Sequence, residues 1–258
     1  MMRFAAIIPA RYASTRFPGK PLAILGGKPI IQRVFERVSS VVSNAYVATD
    51  DERIYNTVEQ FGGNAIMTRT DHKSGTDRCW EAVSKLGADR FDVVINVQGD
   101  EPFILPDQIE AIQQCFCNPQ TQIATLVMPF AADTPIEALD NPNSPKVVIG
   151  TDMQALYFSR SVIPYLRNVD RKDWPATHTY YKHIGIYAYR TEVLHRITTL
   201  APSELEKVES LEQLRWLENN LRIQVGITHQ ETIGIDTPQD LEKAEQFLKT
   251  NQEKQSYT

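Results

Sequence analysis

The chain has 258 residues, with 27 Lys and Arg set against 32 Asp and Glu, and a net charge of −5 argues against a broad polyanion-binding surface, so nucleic acid is not an expected partner. The length suits one or two α/β domains with a sizeable core. Cys79, Cys115 and Cys117 are odd in number and lack C-x-x-C spacing, which reads as reduced thiols in a cytoplasmic protein, and no apolar run nears the ~20 residues that span a bilayer.

The first strand is expected over 3–8, and it releases into Pro9-Ala10-Arg11-Tyr12-Ala13-Ser14-Thr15-Arg16-Phe17-Pro18-Gly19-Lys20. Arg11, Arg16 and Lys20 can neutralise a triphosphate, and backbone N–H groups near Ser14 and Gly19 can approach its oxygens. A solvated basic loop has the same composition. The Walker P-loop is excluded, because Ser14 and Pro21 stand where that motif needs Gly and Ser or Thr. Further strands at 45–49, 64–67, 92–97 and 122–128 alternate with helices at 29–41, 51–60, 76–86 and 106–116. That order predicts a mainly parallel sheet covered on both faces, with ligands beyond the carboxyl ends of the strands.

Asp71-His72-Lys73-Ser74-Gly75-Thr76-Asp77-Arg78 enters a helix. Ser74 and Arg78 can contact a nucleobase edge or ribose, while Ser74 or Thr76 can equally cap the helix; the two roles are compatible. Val93 to Val97 is a buried strand ending in Gln98-Gly99-Asp100-Glu101-Pro102, and strand alternation puts Gln98 and Asp100 on one side, beside the basic loop.

From about 131 to 182 dense turn residues interrupt the pattern, leaving short strands at 146–150 and 155–159. Tyr157, Phe158, Tyr165, Trp174, Tyr180 and Tyr181 fall in this excursion. They suit a homodimer contact or the chain's own core. A strand follows at 184–189 with His183 at its mouth, a position more often structural than catalytic for a lone His. Over 204–219 a helix is expected to bury Leu205, Val208, Leu211, Leu214 and Leu217, with Glu209, Glu212 and Gln213 on its flank. A strand at 222–228 and a helix at 238–249 complete the pattern, and the polar tail to 258 is expected to fray. No zinc spacing and no G-x-S-x-G nucleophile motif occurs.

Asp236, in Gly234-Ile235-Asp236-Thr237-Pro238, reads first as a helix N-cap. Paired with Asp100 it acquires a second reading, since Mg²⁺ is commonly held by one or two carboxylates together with substrate phosphates. Two acids opposite a triple-cation loop are the parts of a metal-nucleotide site.

The segments just quoted, with Leu156-Tyr157-Phe158-Ser159-Arg160-Ser161, His183-Ile184-Gly185-Ile186-Tyr187 and Leu211-Glu212-Gln213-Leu214-Arg215, resemble in order those of the 3-deoxy-D-manno-octulosonate (Kdo) cytidylyltransferase family. The resemblance runs from residue 8 to 238. It implies the nucleotide-diphospho-sugar transferase α/β fold, Rossmann-like, as a single domain over 1–250 whose excursion serves a homodimer. It also implies Mg²⁺-dependent transfer from CTP to Kdo, giving CMP-Kdo and pyrophosphate for lipopolysaccharide synthesis. In that correspondence Arg11, Ser14 and Lys20, with Arg16 nearby, hold the triphosphate; Ser74 and Arg78 contact the nucleotide; Asp100 and Asp236 bind metal. Gln98, Arg160, His183, Tyr187, Glu212 and Gln213 look like the sugar-acid pocket. Phe17, where Leu is usual, and Pro145 ahead of Lys146 depart from the pattern away from the chemistry. The rival readings are a cytidylyltransferase for 8-amino-Kdo or a sialic acid, a glycosyltransferase, for which a D-x-D is missing, and a CTP-binding regulator without turnover. No general base is evident.

Overall fold

The computed structural model describes residues 2–13, 16–230 and 234–255, the last five of these by backbone alone. The chain forms two compact units, one of Met1–Ile109 with Thr232–Thr258 and one of Glu110–Glu231.

In the first unit the apolar run Phe4–Ala10 is the pivot of a parallel sheet. It pairs on one side with Ala45–Thr49, in the register Ala6 to Ala45 and Ala10 to Thr49, and on the other with Val93–Asn96; Ala65–Met67 lies beyond Ala45–Thr49. Strands buried on both faces read as unbroken apolar runs rather than alternations, and Ala5, Ala6, Ile7 and Ile8 are all fully buried. The helices supply complementary stripes. Ile30–Ser39 buries Ile30, Ile31, Val34 and Val38 at helical spacing, and Glu52–Gln60 buries Ile54 and Val58. Each such side chain contributes about 1.5–3 kcal/mol when removed from water. These elements lie within a few residues of the spans expected from periodicity. A two-stranded ribbon, Ile24–Leu25 with Lys28–Pro29, was not expected. It is anchored by the Pro238–Gln255 helix, whose Glu245 carboxylate accepts from the Gly26 N–H at 2.7 Å. That helix carries the polar tail as far as Gln255 in helical form.

The second unit is built on Ile123–Pro129, paired parallel with Ile223–Ile227 and antiparallel with Tyr181–Arg190. The latter bulges: Ile184 faces Leu126 and Tyr187 faces Thr125, so Gly185 and Ile186 are additional on one strand. Lys146–Ile149 pairs with the start of Tyr181–Arg190 and with Ala155–Ser159, both antiparallel. Within the expected excursion Leu139, Trp174 and Tyr180 form a buried cluster, and Phe158 is fully buried. Core packing therefore accounts for those aromatics. Tyr165, 76% exposed, is not covered in this way.

The single helix expected over 204–219 is two, Glu204–Glu209 and Glu212–Glu218, and its apolar stripe needs correction. Ser210 adopts a left-handed conformation, φ 51°, that ends the first helix and rotates the second. Leu211 and Leu214 are buried as expected, but Val208 is 74% exposed, while Gln213 and Trp216 turn inward. Among the described residues no helix is long and apolar enough to cross a membrane.

Candidate active site

In the first unit the loops that follow Phe4–Ala10, Ala65–Met67 and Val93–Asn96 meet at one edge of the parallel sheet, joined there by the segment of Asp236. Pro9, Ala10, Arg11, Arg16, Lys20, Pro21, His72, Lys73, Ser74, Gly75, Arg78, Gln98, Gly99, Asp100 and Asp236 line a cavity of about 240 Å³ there. Gly99 makes this convergence possible: a Cβ at that position would lie 2.8 Å from the Pro9 carbonyl oxygen. The turn after Val93–Asn96 thus lies directly against the end of the first strand. Asp236 arrives from the far end of the sequence, locked in place by the Ile235 N–H donating to the Asp100 carbonyl at 2.9 Å.

The two aspartates share one ammonium. Lys20 Nζ donates to Asp100 Oδ2 at 2.5 Å and to Asp236 Oδ1 at 3.2 Å, and Arg16 Nη1 lies 3.2 Å from Asp236 Oδ2. The capping reading of Asp236 is corrected here. The cap of the final helix is Thr237, whose hydroxyl accepts from the Asp240 N–H at 3.2 Å while the Asp240 carboxylate accepts from the N–H groups of Asp236 and Thr237. Asp236 is left with a carboxylate that faces cations. Glu101, beside Asp100, has a buried Oε2 without a hydrogen-bond partner among the described residues; burial, then the negative charges of Asp100 and Asp236, push its carboxyl up to about 8. The donor set suits a divalent ion completed by phosphate and water. Among the described residues no group of three or more His, Cys, Asp or Glu forms a self-sufficient metal cage.

Arg11 is exposed and makes no ion pair with any described residue, so its charge is available to an anion. Ser14 lies outside the described residues. Ser74 lines the cavity and also caps the Gly75–Leu86 helix in a reciprocal box with Asp77. Arg78 is buried, and its guanidinium donates to Asp50 at 2.9 Å and to the Thr68 hydroxyl at 2.5 Å. It lines the cavity as a braced wall more than as a free donor. Gln98 donates weakly to Asn96 at 3.4 Å, which leaves its amide largely unspent. His72, within the quoted segment but not assigned a role, meets Glu81; hydrogen bonds from Lys85, the Arg69 N–H and His72 overcome burial and hold that carboxylate near a pKa of about 2.

The remaining expected residues lie in the second unit. His183 Nε2 is 3.1 Å from the Thr125 hydroxyl, which donates to the Ile186 carbonyl at 2.8 Å. Burial lowers the His183 pKa to about 4, keeping the ring neutral near pH 7. The Tyr187 ring lies 5.3 Å from His183 and meets Trp216 edge-on at 5.0 Å. Burial, and then Glu212, raise the Tyr187 phenol well above its ordinary value. Gln213 Nε2 and Trp216 Nε1 are buried without hydrogen-bond partners among the described residues, and the nearest partner of the Tyr187 phenol is Thr125. Arg160 is fixed by the carbonyls of Glu209, Pro142 and Ser210, at 2.6, 2.9 and 3.2 Å, through one proton on each nitrogen. Two of its five N–H donors remain. Sequence reasoning did not find Thr125 or the anchoring role of Glu209, because their partners are 58 and about 50 residues away and leave no local pattern.

The cytidylyltransferase family model matches residues 5–223, a span that includes most of both units. A 3-deoxy-manno-octulosonate cytidylyltransferase of Bacteroides thetaiotaomicron is 66% identical over 248 residues, covering 96% of this chain and 99% of that protein. Its counterpart in Phocaeicola vulgatus is 65% identical, covering 96% and 98%. The chain belongs to the 3-deoxy-manno-octulosonate cytidylyltransferase family. A solved structure of CMP:2-keto-3-deoxy-manno-octonic acid synthetase complexed with CTP superposes with a TM-score of 0.88 at 43% identity, covering 96% of this chain and 99% of that one. Family membership and the α/β fold with its largely parallel sheet agree with the resemblance drawn from the motifs. The departures at Phe17 and Pro145 do not remove the chain from the family.

Proposed function

We propose that this protein activates Kdo for lipopolysaccharide synthesis by transferring a cytidylyl group from CTP, with release of pyrophosphate. The C2 hydroxyl of Kdo attacks the α-phosphorus, the bond to the bridging oxygen of the β-phosphate breaks, and the hydroxyl proton is lost. The observation that carries the reading is the convergence of Lys20, Asp100 and Asp236 at the strand ends of one unit, in a chain 66% identical to a cytidylyltransferase of that specificity.

Arg11, Arg16 and Lys20, with Ser14, hold the triphosphate and offset the charge that accumulates on departing pyrophosphate. Ser74 and Arg78 border the nucleoside. Asp100 and Asp236 would hold Mg²⁺, which when bound neutralises phosphate charge and aligns the oxygens for in-line displacement. Lys20 is already neutralised by both carboxylates, so its full charge reaches an incoming triphosphate once those carboxylates have another cation. In the second unit Arg160, His183, Tyr187, Glu212 and Gln213 offer polar groups to the sugar acid: the two spare donors of Arg160 suit a carboxylate, and Gln213 Nε2, without a hydrogen-bond partner among the described residues, suits a hydroxyl.

The two units act as one transferase domain in this reading, supported by a family match spanning 5–223. A cytoplasmic homodimer completes it; in the second unit Leu156, Tyr165 and Val208, all more than half exposed, offer apolar surface for a second copy. Light scattering of the purified protein should return twice the chain mass. The decisive assay supplies CTP and Mg²⁺ with Kdo, 8-amino-Kdo or a sialic acid in separate reactions and follows pyrophosphate. Release is expected with Kdo, and none above background with Kdo would end the proposal.

A further inference from the structure

The basic loop leaves the sheet at Ala10, which is paired with Thr49 of the neighbouring strand. Tyr12 and Asp51 each lie two residues beyond that pair. Asp51 caps the Glu52–Gln60 helix by accepting from the Arg53 N–H at 2.9 Å, and its two carboxylate oxygens grip the Arg53 side chain at Nε, 3.0 Å, and at Nη2, 2.7 Å. Held in this way, the guanidinium lies flat against Tyr12, with its carbon 3.3 Å from the ring centroid. Gly19 meets Tyr12 as well. Its N–H donates to the Tyr12 carbonyl at 2.9 Å, and a Cβ there would lie 3.1 Å from three atoms of the Tyr12 side chain. Gly19 has φ 71°, and the 3-10 turn Lys20–Leu22 begins directly after it.

Tyr12 is thus the closure of the loop's neck, with Arg11 before it and Lys20 immediately after Gly19. The face of the Arg53 guanidinium is covered by Tyr12 and one edge is taken by Asp51, so it is poorly placed to bind phosphate itself.

We propose that Asp51, Arg53 and Tyr12 form a clamp that sets the spacing of Arg11 and Lys20, making Arg53 a positioning residue for the triphosphate. The proposal rests on the CTP reading above for its ligand, and on the neck geometry for its mechanism. Arginine suits this task because it can stack on a ring while its edge forks a carboxylate.

The test compares Arg53→Ala, Tyr12→Leu, Tyr12→Phe and the Arg53→Ala/Tyr12→Leu double variant with wild type. Titration calorimetry with CTP, kinetics in both substrates and tryptic nicking after Arg16 are the readouts. The Arg53 side chain is 60% exposed, so its removal leaves the core intact, and a thermal melt checks this. For Arg53→Ala the CTP affinity should fall about fivefold, in the range of a stacked cation-π contact, with KM for Kdo unchanged and nicking faster. Tyr12→Leu should match it, the double variant should be no worse than either single, and Tyr12→Phe should restore CTP affinity to within about twofold of wild type, because stacking needs the ring. Wild-type CTP affinity and nicking in Arg53→Ala, or losses that multiply in the double variant, overturn the clamp. A wild-type protein that binds CTP but does not turn over Kdo would refute the proposed reaction and leave the affinity comparison to judge the clamp. If CTP did not bind at all, nicking alone would judge it.

Discussion

The two units solve opposite electrostatic problems. In the first, charge is abundant and much of it is paired: Lys20 serves two aspartates, Arg78 serves Asp50, and Arg53 serves Asp51. In the second, polar groups are buried and several lack a partner among the described residues, including Gln213 Nε2 and Trp216 Nε1, with a neutral His183 close to Tyr187. A site for a highly charged, flexible polyphosphate gains from counter-ions that exchange partners, whereas a site for a sugar acid, with one carboxylate and several hydroxyls, gains from fixed donors in a low-dielectric setting. If the division is right, substitutions in the first unit should act on CTP and rate, and those in the second on Kdo.

The largest effect is expected at Asp100. Asp100→Asn keeps the shape and removes the charge, and turnover at saturating substrates should fall ~10²-fold or more, the scale of several kcal/mol of barrier. Near wild-type pyrophosphate release would remove Asp100 from the metal role. Next comes Lys20→Ala, which deletes a charge-assisted contact worth ~1.5–3 kcal/mol, so CTP affinity and rate should each drop by about tenfold or more. A change confined to KM for Kdo would place Lys20 in the other half of the comparison. His183→Ala should raise KM for Kdo about tenfold and leave CTP binding alone, and unchanged Kdo kinetics would dismiss it as a substrate ligand.

The first unit was far more legible in the sequence than the second, and the reason is locality. Its cavity is made by loops that each follow an apolar strand, so Arg11, Ser74, Gln98 and Asp100 could be placed from strand ends alone. Asp236 was ambiguous because a carboxylate ahead of a helix is ordinarily a cap; deciding the matter required seeing Asp240 fold back on Thr237. In the second unit the bulge at Gly185 and Ile186, and the left-handed Ser210, are single-residue events that override a regular period. Periodicity therefore placed Val208 inside and missed Trp216. The Thr191–Thr198 helix was also missed, since it follows a strand with no intervening turn residues.

The separation of capping from catalysis at the last helix gives a smaller, sharper test. Thr237→Ala should lower stability by about 1 kcal/mol, the usual value of an N-cap, and shift the melting temperature by a few degrees. Asp236→Asn should do little to the melt, because its ion pairs to Lys20 and Arg16 are half-exposed, yet it should depress turnover. The reverse pattern would return Asp236 to the capping role.

The smallest effect concerns protons in the second unit. The His183 pKa is lowered from 6.5 to about 4 by burial, so between those values the unfolded chain binds a proton that the folded chain refuses. Stability from this residue is therefore complete above about pH 6.5 and is lost as pH falls toward 4. A His183→Gln variant has no such proton to take up, so its melting temperature should decline less steeply over that window than that of wild type. Parallel slopes would mean that the ring is solvated in the folded state, and the contrast drawn between an ion-paired unit and a drier one would then fail at His183.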